Sequence, residues 1–222
     1  MKQIMTLAAA LMIVCCLSAQ ENAKYVSAME SNLKKMSKAK TADAYQNVYN
    51  TFERIAANEP NEWEASYYMG FIKTIQAFEA KNKSRAEEEL SLLSDKLKAK
   101  VDMPSLAENK LAQSEIHALI AMMYSARMMA NPMELGPKFM PLNRKHLGLA
   151  ERLNIENPRV YLLYAQNSYY TPEAFGGNKL KAKELAIKSI GLFRQNARQD
   201  NTLMPKWGQD QAEGLLKQMD KK

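Results

Sequence analysis

The stretch Ile116 to Ala130, IHALIAMMYSARMMA, constrains the fold of this chain more than any other. Twelve of its fifteen residues are apolar, so a helix built from it has no polar side wide enough to face water. Such a helix must be covered on every flank. A membrane span needs roughly 18 to 20 apolar residues in succession, and His117, Ser125 and Arg127 interrupt this run well before that length. Helices packed on both sides of a central one are therefore expected.

The rest of the chain supplies those helices. Val26, Met29, Leu33 and Met36 fall at helical spacing with lysines opposite. Thr41 is placed to cap a second helix striped with Tyr45, Val48, Phe52 and Ile55. Trp63, Tyr67, Met69, Gly70 and Ile72 belong to a third. Ser84 with Glu87, and Ser105 with Glu108, have capping-box spacing, and the second pair is expected to open the segment that ends in the central helix. Asn131-Pro132, Gly136-Pro137 and Pro141 predict an irregular loop over 131–141. Helices resume over 143–154, from the Asn157 cap and Pro158 to Tyr170, and over 179–195. Pro205 is expected to open a last one containing Trp207, Ala212, Leu215 and Met219. No stretch alternates apolar and polar residues with hairpin turns, so the fold reads as all-α with about nine helices.

At the N-terminus, Lys2, the apolar run from Ile4 to Leu17 and the small residues Ser18 and Ala19 have the layout of a secretory signal. Residues 1–19 are thus expected to be removed, leaving 20–222 as one domain in the periplasm or outside the cell. Val14 and Cys15 are not the small residues that precede a lipidated cysteine, which argues against an acyl anchor. Cys15 and Cys16 are the only cysteines, so the mature domain has no disulfide, thiolate metal site or cysteine nucleophile. The chain carries 31 Lys and Arg against 24 Asp and Glu; for an exported protein that basic balance suits acidic surfaces better than nucleic acid.

The order of amphipathic pairs suggests four helical hairpins and a C-terminal capping helix over 205–220. Met69-Gly70, the Ala86, Leu90, Leu93 triplet, the Ala182, Ala186, Ser189 triplet at the same four-then-three spacing, and the helix-ending Glu59-Pro60 and Asn157-Pro158 resemble tetratricopeptide repeat positions. The 34-residue period is not kept, and the third hairpin with its prolines departs furthest. The resemblance implies a right-handed helical-hairpin solenoid whose first helices line a concave face that holds a peptide or protein.

The tyrosine-rich segment is the candidate binding surface. Tyr161, Tyr164 and Ser168 share one helical face with Asn167 beside them, Tyr170 follows, and Tyr67 occupies an equivalent place two hairpins earlier. Tyrosine offers a rigid contact area with a polar end, though the same rings also suit the seam between hairpins. Six methionines between Met122 and Met140, with His117 nearby, make copper(I) physically possible, but their spacing does not gather them on one face. His117 and His146 stand at no spacing that suggests a metal pair or a triad. Gly176-Gly177 lacks the Gly-Lys-Ser/Thr ending of a phosphate loop and reads as a turn. No catalytic motif, metal site or cofactor site is evident. The expectation is an exported, non-enzymatic scaffold for a peptide, protein or envelope component, with a periplasmic carrier of a small molecule or copper as the alternative. An envelope hydrolase ranks last, since it needs a carboxylate pair.

Overall fold

The computed structural model describes residues 22–80, 83–196 and 202–221. The signal segment with Cys15 and Cys16, and the side chain of Ser84, lie outside these described residues. The chain divides after Ala65 into two compact units. Among the described residues there are nine α-helices and no strand, as the periodicity predicts.

The first unit holds α1 (residues 22–36) and α2 (Ala42–Asn58). Thr41 caps α2 as expected, its hydroxyl accepting from the Ala44 N–H at 3.2 Å. Met29, Val48 and Phe52 are buried, and the buried Asn32 donates to the Val48 carbonyl at 3.0 Å. Tyr25 donates to Glu64 at 2.8 Å. Burial first, then that carboxylate, pushes the Tyr25 phenol well above its ordinary pKa.

The division falls just inside α3 (Glu64–Glu79), which is followed by α4 (Lys83–Val101), α5 (Lys110–Met128), α6 (Pro132–Leu153), α7 (Pro158–Tyr170), α8 (Lys179–Asn196) and α9 (Gln209–Asp220). The apolar run is the core of α5. Every residue from Ser114 to Arg127 is buried except Met122 and Ser125, which are half-buried. Arg127 keeps its charge inside by pairing with Glu87 of α4 at 2.6 Å, since a buried cation without a partner is costly. On the α3 side the contact is close: a Cβ on Gly70 would stand 3.0 Å from Leu97, 3.3 Å from Leu119 and 3.5 Å from Met123. A glycine here lets α3 approach α4 and α5.

α5 and α6 form an antiparallel pair. Ser114, at the start of α5, donates to the Ala150 carbonyl near the end of α6 at 2.8 Å. Midway along the pair Asn143 of α6 donates to the Ala121 carbonyl at 2.7 Å and to Ser125 at 2.9 Å. α7 and α8 pair likewise, and the Ala182, Ala186, Ser189 triplet is fully buried, with Ser189 donating to the Pro158 carbonyl at 2.8 Å.

Three local expectations are corrected. Residues 131–141 are not a loop but the first half of α6. Asn131 caps it through the Glu134 N–H, and Pro132 takes the first turn, where its missing N–H costs nothing. Pro137 and Pro141 lie four apart and both exposed, so water can reach the carbonyls whose helical partners they remove. Ser105 does not open α5: it lies in Pro104–Leu106, a single 3₁₀ turn, and Asn109 starts α5 by accepting from Ala112 N–H at 3.0 Å. Pro205 opens no helix; α9 begins at Gln209 after Gly208, whose φ is 116°. A Cβ there would also meet Phe193 at 2.5 Å, so only glycine fits that bend. Asn131→Ala is expected to cost about 1 kcal/mol, the ordinary value of an N-cap, in urea unfolding.

Candidate functional site

Residues 202–208, between α8 and α9, lie across α3 and α7, two of the first helices of the pairs. Tyr68 of α3 donates to the Leu203 carbonyl at 3.0 Å, and Arg159 of α7 donates to the Pro205 carbonyl. Trp207 stacks on Phe71 with ring centres 5.2 Å apart and donates its indole N–H to Tyr67 at 2.8 Å. The face expected to receive a partner thus holds the chain's own segment. Beneath it, Arg159 pairs with Glu115 of α5 at 3.1 Å, both side chains nearly inaccessible to water. Burial raises the Glu115 pKa above its ordinary value, with Arg159 opposing.

The five expected contact residues separate. Tyr67 is fully enclosed, and burial raises its phenol well above the ordinary value. Tyr161 is buried as well, donating to the Ile155 carbonyl at 2.8 Å, with Lys188 over its ring at 3.8 Å. Tyr164 is half-buried and donates to Glu151 at 3.2 Å; burial first and then that carboxylate push its pKa up to about 12. Asn167 donates to Asn143 at 2.7 Å, tying α7 into the α5–α6 pair. Tyr170 alone is open, 64% exposed, and its hydroxyl lies 3.4 Å from Gln218 of α9. Tyr164, Asn167 and Tyr170 lie along the second half of α7, while Tyr67 and Tyr161 belong to its packing.

A recess that sequence reasoning missed lies between α8 and α9, with a volume of about 500 Å³, within the range of small-molecule sites. Ile187, Ile190 and Leu216 give it an apolar floor, and Gly191 adds no side chain to fill it. Ile187 is 52% exposed. Arg194, Lys217 and Lys221 stand on the rim with Glu213 and Asp220. Those carboxylates are partly engaged: Glu213 with Arg194 at 3.8 Å and Asp220 with Lys183 at 2.7 Å. The signal for this recess was present as the apolar positions of two amphipathic helices. Only their packing shows that the two stripes do not close on each other completely.

The structure also brings together two residues that spacing alone kept apart. His117 of α5 and His146 of α6 face each other with Nδ1 atoms 3.0 Å apart, a contact that their spacing in the sequence did not suggest. Both are buried. Burial lowers both pKa values, His146 to about 4 with His117 as the next cause. No group of three or more His, Cys, Asp or Glu among the described residues is arranged for a metal, and no described helix is long and apolar enough to cross a membrane.

Antiparallel helix pairs, with an open recess between the last two helices, define an all-α helical-pair protein. Its structure is similar to the HusA haemophore from Porphyromonas gingivalis, with a TM-score of 0.77 and 30% identity over 89% of this chain and 93% of that one. The chain belongs to the family of that haemophore. No family model matches the chain, and no curated protein matches it in sequence.

Proposed function

We propose that this protein is an exported carrier of haem, seated in the recess between α8 and α9. The support is its family membership, since the similar protein is a haemophore at 30% identity across nearly its whole length. The recess suits that cargo chemically. Haem is a flat apolar ring with two carboxylates at one edge, which matches an apolar floor of Ile187, Ile190 and Leu216 below the cations of Arg194, Lys217 and Lys221. Burying the ring against the floor supplies the affinity, and the cations orient the carboxylates. Export through residues 1–19 and tetratricopeptide-type stacking of the pairs belong to the same reading.

Haem titrated into the protein should shift and sharpen its main visible absorption band at one equivalent. Reversing two rim charges, Arg194→Glu with Lys217→Glu, should weaken binding about tenfold, as expected for two exposed ionic contacts. A spectrum that never departs from that of free haem would refute the carrier reading. A second reading, a peptide partner on the face of α3, α5 and α7, is favoured by the extended segment already seated there. Such a partner must first displace Leu203–Gly208.

A further inference from the structure

We propose that the turn between α7 and α8 docks the protein on an anionic lipid bilayer, with Phe175 and Leu180 entering the boundary between headgroups and acyl chains. Phe175 is 69% exposed and Leu180 79%, and Tyr170 is open at the same end of the helix pair. Large apolar side chains held in water mark an interaction surface when they stand together. The turn presents them rigidly. Phe175 and Gly177 donate their N–H groups to the Pro172 carbonyl at 2.9 and 3.1 Å, and Asn178 donates to the Ser168 carbonyl at 2.9 Å. The Ser168 hydroxyl donates in return to the Asn178 carbonyl at 2.9 Å. Gly176 takes a φ of 92°, and a Cβ on Gly177 would stand 1.8 Å from the Thr171 carbonyl oxygen, so the bend requires both glycines. A wedge formed in advance loses little conformational freedom on insertion.

The charges around these side chains select the partner. Residues 171–183 carry Lys179, Lys181 and Lys183 against the single carboxylate Glu173. Lys183 pairs with Asp220 of α9 at 2.7 Å, whereas Lys179 and Lys181 are exposed on either side of Leu180. Lysines beside apolar side chains fit a layer of anionic headgroups over hydrocarbon, and Tyr170 suits the headgroup level where tyrosines settle. A second copy of the chain fits less well, because a two-fold contact through this turn brings the lysines of both copies together. The apolar strip continues along α8. Ile187 follows Leu180 by two helical turns, on the same face and about 10 Å away, and it belongs to the floor of the recess. The docked end and the recess thus share one face of α8, while docking itself requires no particular cargo.

The test uses the full chain with Leu11→Glu and Val14→Glu, so that the N-terminal apolar run does not itself insert. Vesicles of phosphatidylcholine with phosphatidylglycerol are titrated into its Phe175→Trp variant. Emission should move to the blue and be quenched by brominated acyl chains, beyond any response of the parent, whose tryptophans are Trp63 and Trp207 alone. Ile155, 66% exposed, precedes α7 and so marks the opposite end of the pair; an Ile155→Trp variant should show no shift. Adding Lys179→Gln with Lys181→Gln to Phe175→Trp should raise the lipid concentration at half the shift about 30-fold, the combined effect of two lysines near a charged surface. No response at position 175, an equal response at position 155, equal binding to phosphatidylcholine alone, or affinity unchanged by loss of the lysines would each overturn the proposal. A blue shift that grows with protein concentration in the absence of vesicles would overturn it in favour of a second copy.

Discussion

Arg159→Met is expected to lower the unfolding free energy by about 3–5 kcal/mol, the effect of removing one partner from a buried ion pair. Arg159 is 5% exposed and Glu115 4%, so the substitution leaves a carboxylate stranded inside the α5–α7 contact. It also removes the donor to the Pro205 carbonyl and the guanidinium beside the Trp207 and Phe193 rings, loosening residues 202–208. Urea unfolding followed by circular dichroism reads the change as a lower midpoint. The double replacement Glu115→Leu with Arg159→Met should recover much of the loss, because no buried charge then remains. Equal damage from the single and the double replacement would show that packing, not charge, sets the cost.

Acidification should destabilise the second unit through the histidine pair. In the unfolded chain each imidazole takes up its proton near the ordinary value of 6.5, whereas in the folded protein His146 does so only at about 4. The unfolded state therefore binds more protons between those values. The stabilising contribution is fully present above pH 6.5 and is lost progressively as pH falls to about 4, below which it falls no further. At 1.36 kcal/mol per pKa unit, discounted for solvent screening near the rings, His146 accounts for about 2 kcal/mol. Melting temperatures recorded from pH 7 to pH 4 should fall across this window, and His146→Gln should flatten the decline. A decline of the same depth in that variant would assign the acid sensitivity elsewhere.

Much of the architecture was legible because helical periodicity is a local property. The stripe of Val48 and Phe52, the Thr41 and Asn157 caps and the apolar run in α5 each carry their signal within a few residues. Reading failed where a local rule has two outcomes. Proline ends a helix when the carbonyl it orphans is buried, but not when water can reach it, and the exposure of Pro137 and Pro141 is decided by which face of α6 meets α5. A capping box at Ser105 lost to Asn109 for a comparable reason, since both residues are competent caps and packing chose the later one.

The binding surface was less legible still. Tyr67 and Tyr161 have the same composition and spacing whether they line a surface or fill an interior, and the Tyr67 hydroxyl accepts from Trp207, 140 residues further along the chain. The recess between α8 and α9 and the pairing of His117 with His146 likewise join residues from different helices. By itself, then, the sequence determined that the chain is helical and that α5 must be enclosed, because burying apolar surface is favourable wherever the covering helices come from. The tertiary structure alone decided which polar groups meet and which apolar stripe stays uncovered, because those depend on the register between helices, set by the sum of many distant contacts.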